Sequence, residues 1–231
     1  MTVGIMQPYF LPYLGYWHLL AAVDRFVVYD NIQYTKKGWI NRNRFLRDGA
    51  EAQFTLPLKK GSDYLNVADR AIADDFDPQT LLNQFANAYG KAPHFAAVFP
   101  LIETIVKAAP RNLFEYLHHS LTMTADYLEI KTPIVVSSTI PIDHQLKAGD
   151  KVLAICRAVG ADRYVNTIGG RELYSPAVFA ASGVELRFIQ SRLTEYQQFA
   201  HPFVPGLSIL DVMMFNSRDA VRRMLGEYEL V

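Results

Sequence analysis

Near its start the chain reads Val3-Gly4-Ile5-Met6-Gln7-Pro8-Tyr9-Phe10-Leu11-Pro12-Tyr13-Leu14-Gly15-Tyr16-Trp17-His18-Leu19-Leu20, and this stretch decides the fold. The apolar residues at its beginning predict a short strand over residues 3–7. The proline at position 8 ends that strand, because proline lacks the N–H that a central strand needs. A helix is predicted from Leu14 to Val23, since Leu14, Trp17 and Leu20 recur at helical spacing.

A second strand completes a strand–helix–strand unit. β-Branched and aromatic residues predict it over residues 25–30, where Asp-Asn follows as a turn signal. Strands in such a unit lie parallel and are joined by a right-handed crossover. Gln7 and Asp30, at the ends of the two strands, should therefore lie at the same carboxyl edge, where open α/β sheets bind ligands.

The same alternation resumes in the second half of the chain. Strands are predicted over residues 133–138, 163–167 and 184–189, with helices over residues 149–160 and 175–182 between them. Together these elements predict an α/β fold with a parallel, Rossmann-like sheet, in a single domain over residues 1–231. Helices over 208–215 and 218–226 follow a turn-rich stretch that contains His201-Pro202.

Two further units interrupt this pattern. A β-hairpin is predicted over residues 39–58, because Asp48-Gly49 is a strong two-residue turn signal between segments near 39–46 and 51–58. Asp77-Pro78 is a typical helix start, with aspartate as the cap and proline in the first turn. Helices over 77–89, 93–107 and 112–129 then form a helical insertion over residues 77–129, and residues 67–73 could add one strand.

Composition narrows the functional classes. Half of the 231 residues are hydrophobic, and the 23 basic and 23 acidic side chains cancel, so a nucleic-acid partner is not expected. The lone cysteine, Cys156, is expected to be a core residue, and a reducing, cytoplasmic location follows as the default. No signal peptide is expected, and no apolar run approaches the ~20 residues of a membrane span. Neither the adjacent pair His118-His119 nor any other spacing is typical of a metal site.

A basic and aromatic cluster follows Asp30. Lys36, Lys37, Arg42 and Arg44 are interleaved with Tyr34 and Trp39. Cationic side chains bind phosphates, and aromatic rings stack on a base or a sugar. A solvated hairpin face with one aromatic anchor is the alternative, and both interpretations stay open. If the cluster is a site, its charge suits an anionic substrate such as a nucleotide or a nucleotide-linked sugar.

Two loops at the predicted carboxyl edge are further site candidates. Tyr9, Phe10, Tyr13 and Tyr16 crowd one connection, which either folds onto the core or lines a pocket, and its position after the first strand favours a pocket for Gln7, Tyr9 and Tyr16. Gly169-Gly170 follows a later strand. Paired glycines let backbone amides approach an anion, although an ordinary turn would look the same. Asn166 and Tyr174 flank this pair and could contact a polar ligand.

Several of these motifs together resemble the WbqC-like protein family. They are Gln7 to Tyr16, Tyr29-Asp30, Gln33-Tyr34, Lys37 to Asn43, Ala161 to Asn166, Gly169-Gly170, Glu172 to Tyr174 and Pro205 to Asp211. The resemblance spans essentially the whole chain. It implies a place in bacterial O-antigen or surface-polysaccharide biosynthesis, with the transfer of glycine or another small acyl group onto a sugar. It supplies no catalytic residues.

The loop that opens the first helix is also similar to the H-x-G-H signature of nucleotidyltransferases and of ligases of the pantoate–β-alanine type. In those enzymes the histidines stabilise a transferring phosphate at a helix N-terminus. Tyr13 and Tyr16 stand at the two histidine positions here, and neither can carry a positive charge. Likeness of fold does not establish function.

Three hypotheses follow. The first is a transferase that moves an acyl or aminoacyl group onto an amino sugar or a nucleotide sugar, with Asp30, His18 and Gln7 as catalytic candidates. The second is an ATP-dependent ligase or nucleotidyltransferase, with ATP as its possible cofactor, and the third is a non-catalytic protein that binds sugar nucleotides. The sequence leaves the oligomeric state open. The candidate substrate-binding residues are Pro8, Tyr9, Tyr16, Gln33, Lys36, Lys37, Trp39, Arg42, Asn43, Asn166, Gly169, Gly170 and Tyr174.

Overall fold

The computed structural model describes residues 1–199 and 202–231. Its strands are β1 (Thr2–Met6), β2 (Arg25–Val28), β3 (Arg42–Arg47), β4 (Ala50–Thr55), β5 (Ile134–Val136), β6 (Arg163–Thr167), β7 (Glu185–Ser191) and β8 (Tyr228–Leu230). Its α-helices are α1 (Leu14–Ala21), α2 (Pro78–Tyr89), α3 (Phe95–Val106), α4 (Leu113–Tyr127), α5 (Ala148–Ala158), α6 (Pro176–Ala181), α7 (Ile209–Phe215) and α8 (Arg218–Met224). None of these described helices is long and apolar enough to cross a membrane.

The central sheet has the strand order β5-β2-β1-β6-β7-β8. Strands β5, β2, β1, β6 and β7 pair in parallel, and β8 pairs antiparallel with β7. The chain winds outward from β1 in one direction and from β6 in the other, so the strand order reverses between these two neighbours. The predicted α/β fold with a mostly parallel sheet is therefore confirmed, and the reversal marks the crevice where such sheets bind ligands.

The sheet is covered on both faces because successive strand residues point in opposite directions. Val3, Ile5 and Val27 face α5 and α6, together with the buried Cys156. On the opposite face α1 approaches β1 closely, since a Cβ at Gly4 would lie 3.3 Å from Cδ1 of Leu19. That face also carries the hairpin, the helical insertion, α7 and α8 in one hydrophobic core.

The predicted hairpin is present as a separate two-stranded sheet, β3 with β4. Asp48 and Gly49 both have positive φ, 53° and 76°, as a tight turn of this kind requires. Phe45 and Phe54 point inward and contact Phe85 of α2, with ring centroids 5.8 and 5.0 Å away. These contacts fix the hairpin against the helical insertion.

Local signals predict the first helix of the insertion correctly, whereas one predicted strand is absent and one strand of the structure is not predicted by the sequence. The Asp77 side chain caps α2 by accepting from Gln79 N at 2.9 Å and Thr80 N at 3.1 Å. Residues 67–73 do not form a strand, because Val67–Asp69 is a 3-10 turn and only isolated bridges follow it. The sequence also does not predict β8, a three-residue strand that exists by pairing with β7. Of the predicted turn at His201-Pro202, His201 lies outside the described residues.

Candidate functional site

A cavity of about 410 Å³ lies at the strand-order reversal. Its volume is in the range typical of small-molecule sites, about 300–1,000 Å³. Met6 ends β1 and Thr167 ends β6, and both residues line the cavity, so it opens at the carboxyl edge of the two central strands. The lining residues are Met6, Tyr9, Tyr13, Tyr16, Trp39, Asn43, Arg44, Thr167, Leu193 and Gly206.

Four aromatic residues lie in the connection after β1, and three of them, Tyr9, Tyr13 and Tyr16, line this cavity. Tyr9 and Tyr16 lie with ring centroids 5.6 Å apart. Tyr16 donates its hydroxyl to the Gln7 carbonyl oxygen at 3.0 Å, and Tyr9 donates to Gln7 Oε1 at 3.3 Å. Gln7 therefore fixes both phenols, although it does not line the cavity itself. Phe10 is fully buried between Phe54 and Tyr116 and belongs to the core.

Tyr13, the third of these aromatics, lies across the first turn of α1. A Cβ at Gly15 would stand 2.4 Å from Cε2 of Tyr13 and 2.7 Å from its hydroxyl oxygen, so only glycine allows this ring position. The N-terminal turn of α1 is thus covered by a phenol at the place where H-x-G-H enzymes hold a phosphate. Burial raises the pKa of Tyr13, and it raises the pKa of Tyr9 to about 12, so both hydroxyls remain protonated donors at neutral pH.

The hairpin supplies a cation and an indole ring to the opposite wall. The Arg44 guanidinium lies 5.2 Å from the Trp39 ring centroid, donates from Nη1 to Glu51 at 2.9 Å and donates from Nη2 to the Gly206 carbonyl at 2.9 Å. Its buried Nε has no hydrogen-bond partner among the described residues. Trp39 remains 40% exposed. A planar cation and a planar ring thus face the cavity together, which suits a ligand with an anionic and an aromatic part.

Arg42 is two residues from Arg44 on the same side of β3, but its donors serve the backbone. Its Nε donates to the Gly38 carbonyl at 2.8 Å and its Nη2 donates to the Lys37 carbonyl, while its guanidinium lies 5.7 Å from the Trp39 centroid. Arg42 therefore shapes the turn that presents Trp39. Its predicted role in holding phosphates is not tested and stays a prediction.

Asn43 joins the hairpin to the aromatic loop. Its Nδ2 donates to the carbonyls of Phe10 and Leu11 at 3.3 and 3.0 Å, and the Ser208 hydroxyl donates to the same Leu11 carbonyl at 2.6 Å. Leu11 has a φ of 44°, a conformation that these contacts hold in place. Asn43 therefore positions the loop that carries Tyr9 and Tyr13, and it also lines the cavity.

The other predicted residues of this loop region are exposed. Lys36 pairs with Asp63 at 2.7 Å, and Gln33 donates to the Asp63 carbonyl at 2.9 Å. Lys37 is exposed and precedes the turn to Trp39. These side chains lie outside the cavity lining, on the segment that leads to it, and their predicted role in substrate binding stays a prediction.

Two of the catalytic candidates also lie outside the lining. Asp30 is 6% exposed and accepts from Ser137 Oγ at 2.7 Å and Ser138 N at 2.9 Å. Burial alone would raise the pKa of Asp30, but the hydrogen bonds from Ser138 and Ser137 lower it, so the group is ionised at neutral pH. His18 is fully buried, with Nε2 2.9 Å from the Met224 carbonyl and with a pKa that burial lowers. The proposed roles of Asp30 and His18 remain predictions.

The loop after β6 approaches the cavity through its first residues. Asn166 Oδ1 accepts from Thr167 N at 2.7 Å. A Cβ at Gly170 would lie 2.6 Å from Asn166 Nδ2, so this glycine makes room for the amide, whereas Gly169 faces open space. Tyr174 points to the other face of the sheet, where its ring packs against Tyr164 and Phe179. Pro8 is buried beneath the aromatic loop.

The site includes residues that the sequence did not single out as ligand-binding. Arg44 carried a usable signal, since it alternates with Arg42 along a strand and so shares its face. Tyr13 is identified only when its ring is placed over Gly15. Leu193 and Gly206 come from the segment between β7 and α7, whose sequence has no regular pattern.

Comparison with known proteins gives two matches. The sequence profile of the WbqC-like protein family matches residues 7–223, which include the aromatic loop, the hairpin and α7. The uncharacterized protein Rv1507c of Mycobacterium tuberculosis is 28% identical over 219 residues, covering 93% of this chain and 93% of that protein. Because the family match covers nearly the whole chain, this protein belongs to the WbqC-like protein family.

Proposed function

We propose that this protein is a transferase of bacterial O-antigen or surface-polysaccharide biosynthesis. It moves glycine or another small acyl or aminoacyl group onto the amino group of an amino sugar or a nucleotide sugar. The observation that carries the proposal is the cavity in which Trp39 and Arg44 face three tyrosines at the strand-order reversal. Family membership is consistent with this reaction class, and we expect it to take place in the cytoplasm.

The two walls of the cavity suit the two parts of a nucleotide sugar. The exposed Trp39 ring offers a stacking surface for a base, and such stacking contributes about 1–3 kcal/mol. Arg44 offers its remaining guanidinium donors to a diphosphate, for which its planar fork is well matched. Lys37, on the segment leading to Trp39, would meet phosphate oxygens that reach beyond the cavity.

The three tyrosines of the cavity are suited to contact the reacting groups, the amine of the sugar and the acyl group. In the proposed step the amine nitrogen of the sugar bonds to the acyl carbon of a thioester or acyl phosphate. The bond from that carbon to its leaving group breaks, and the leaving group keeps the electron pair. Protonated Tyr13 would donate a hydrogen bond to the carbonyl oxygen as its negative charge develops, and Tyr9 would do the same on leaving its 3.3 Å contact with Gln7 Oε1. Asp30 is the proposed acceptor of the amine proton, which would reach it through solvent, because Asp30 does not line the cavity.

Ligand-dependent thermal stability tests the binding half of the proposal. UDP-sugars, dTDP-sugars, ATP and acyl thioesters are compared, because a ligand that binds only the native state raises the melting temperature. We expect a sugar nucleotide to stabilise the protein, with the effect lost in Trp39→Ala and Arg44→Met. Tyr64→Ala, which removes an aromatic ring that is 85% exposed, and Arg47→Met, on the exposed end of β3, are the matched controls. An equal increase in melting temperature with sugar nucleotide in all four variants would contradict the proposal that the cavity binds it.

A second candidate is a protein that binds a sugar nucleotide without turning it over. Among the described residues that line the cavity none is Asp, Glu, His, Cys or Lys, the usual proton carriers and nucleophiles. Mass spectrometry of the sugar nucleotide after incubation with glycine, ATP or acyl thioesters separates the two functions. Binding without any acylated product favours the second candidate. A shift with ATP and formation of an adenylate would instead favour the ligase alternative.

A further inference from the structure

A second polar cluster lies on the other face of the sheet, at the carboxyl ends of β2 and β5. Asn31 follows β2, and Ser137 follows β5. His144 comes from the loop before α5, and Lys151 comes from the first turn of that helix. We call Asn31, Ser137, His144 and Lys151 the Lys151 cluster. None of these four residues lines the aromatic cavity.

Lys151 is an unusually buried cation. Only 8% of the residue is exposed, and its ammonium lies 5.5 Å from the ring centroid of Tyr29. Nζ donates to the carbonyl oxygen of Asn31 at 3.1 Å and to Oδ1 of the same residue at 3.0 Å. An ammonium has three donors, so one N–H of Lys151 has no hydrogen-bond acceptor among the described residues.

Asn31 is held so that it presents both oxygens to Lys151. Its Nδ2 lies 2.9 Å from Nδ1 of His144, and its Oδ1 lies 2.8 Å from Ser137 Oγ, whose single hydroxyl hydrogen is shared between Asn31 and Asp30. If the amide donates to Nδ1, the neutral imidazole carries its proton on Nε2 and is a further donor. Asn31 and His144 are only half-buried, so the cluster borders solvent at the edge of the sheet.

Asp30 is the acidic group that faces this cluster, but it does not form an ion pair with Lys151. No carboxylate oxygen in the described part of the chain lies within 4.0 Å of the ammonium, and Asp30 is bound by Ser137 and Ser138 instead. Burial lowers the pKa of Lys151, and the charge of Asp30 opposes that shift. A buried cation without a bonded counter-ion is costly, so its retention needs a reason.

We propose that the Lys151 cluster binds a small oxyanion, either a carboxylate or a phosphate group, through the free N–H of Lys151. The anion supplies a bonded counter-charge, because Asp30 acts on Lys151 only from beyond ion-pair distance. The site opens on the same sheet edge as the aromatic cavity but on the face covered by α5. It therefore suits the anionic group of a second substrate, and its existence does not depend on the function proposed for the cavity.

Thermal stability in sodium phosphate, against sodium chloride of equal ionic strength, tests this proposal. We expect phosphate to raise the melting temperature of the native sequence by about 2–4 °C. Lys147→Met, an exposed lysine one turn earlier, should keep the shift, and Lys151→Met should lose it. Sodium acetate in the same assay distinguishes a carboxylate site from a phosphate site. The Lys151→Met variant should bind sugar nucleotides normally. The absence of a phosphate effect in the native sequence would therefore contradict only the Lys151 site, and the absence of sugar-nucleotide binding would contradict only the function proposed for the cavity.

Nuclear magnetic resonance of the unsubstituted protein supplies a second measurement. With ¹³C-labelled lysine, phosphate should shift the Cε resonance of Lys151 and leave that of Lys147 unchanged, whatever the stability of the variants. A phosphate effect that survives in Lys151→Met, or one that is lost in Arg44→Met, would place the anion elsewhere. No shift in either measurement would show that Lys151 only supports Asn31, and the proposal would then be wrong.

Discussion

Replacing Gly15 with alanine should destabilise the protein, although alanine is the better helix former. In an unobstructed helix the change stabilises by up to ~1 kcal/mol. Here the new Cβ would lie 2.4, 2.6 and 2.7 Å from Cε2, Cζ and the hydroxyl oxygen of Tyr13, so the ring must leave its place. Such overpacking costs about 1–3 kcal/mol. The net effect is therefore a loss of up to about 2 kcal/mol, together with weaker ligand binding in the cavity.

Urea unfolding of a double-mutant cycle measures this effect. In a Tyr13→Ala background the obstruction is gone, so Gly15→Ala should stabilise by up to ~1 kcal/mol. Gly149→Ala is the matched control, because Gly149 is also the second residue of its helix and its Cβ would meet nothing nearer than Tyr174 at 4.0 Å. If Gly15→Ala stabilises both backgrounds equally, Tyr13 does not cover α1 and the shape of the cavity is different.

Three further predictions concern the support of the two sites. Asn43→Ala should cost about 2 kcal/mol in urea unfolding, because it leaves the Phe10 carbonyl without its side-chain donor and removes one of the two side-chain donors of the Leu11 carbonyl. Asn216→Ala, which removes one hydrogen bond at a helix end, should cost less. Gly170→Ala should displace Asn166, whose Nδ2 would be 2.6 Å from the new Cβ, while Gly169→Ala, which faces open space, should have little effect on the melting temperature. Asp30 has a pKa below 3.8 in the folded protein, so its contribution to stability is present above pH 3.8 and is lost as the pH falls through the folded value. Asp30→Asn should accordingly be destabilising at pH 7 and progressively less so as the pH falls below 3.8, and a loss that does not change with pH would contradict this reasoning.

The elements that the sequence predicts are those with a local cause. Pro8 stops β1, Asp48-Gly49 forms the hairpin turn and Asp77 caps α2, and each effect operates within a few residues. Strand β8 has no such cause, since its three residues become a strand only by pairing with β7. The same distinction explains the aromatic loop. Alternation and spacing do not predict that Phe10 is buried in the core while Tyr9 lines the cavity. The two environments are set by contacts with the hairpin and α4, which are distant in sequence.

The candidate site also combines a feature that the sequence predicts with features that depend on distant contacts. Its position at the carboxyl edge could be predicted from the strand order, whereas its lining depends on contacts between distant segments. Arg44 lines the cavity because Glu51 and Gly206 hold its guanidinium there, while Arg42 is drawn away by backbone carbonyls. A count of positive charges along residues 36–44 cannot separate these roles. The partners of each guanidinium separate the two arginines: Arg42 binds backbone carbonyls of its own turn, whereas Arg44 binds Glu51 and Gly206.

The two proposed sites share one feature, a cation with an N–H donor that has no hydrogen-bond partner among the described residues. Arg44 keeps an unpartnered Nε beside the cavity, and Lys151 keeps an unpartnered N–H on the opposite face of the sheet. Lys151 is held by the neutral oxygens of Asn31, and Arg44 is held by the Gly206 carbonyl and by the exposed Glu51, so an anion can bind without breaking a buried ion pair. Gln7 and Pro8, at the end of β1, lie in the connection that follows the central strand. The proposed transferase must hold two substrates, and the two incompletely satisfied cations lie at the carboxyl edge of the same sheet, on its opposite faces.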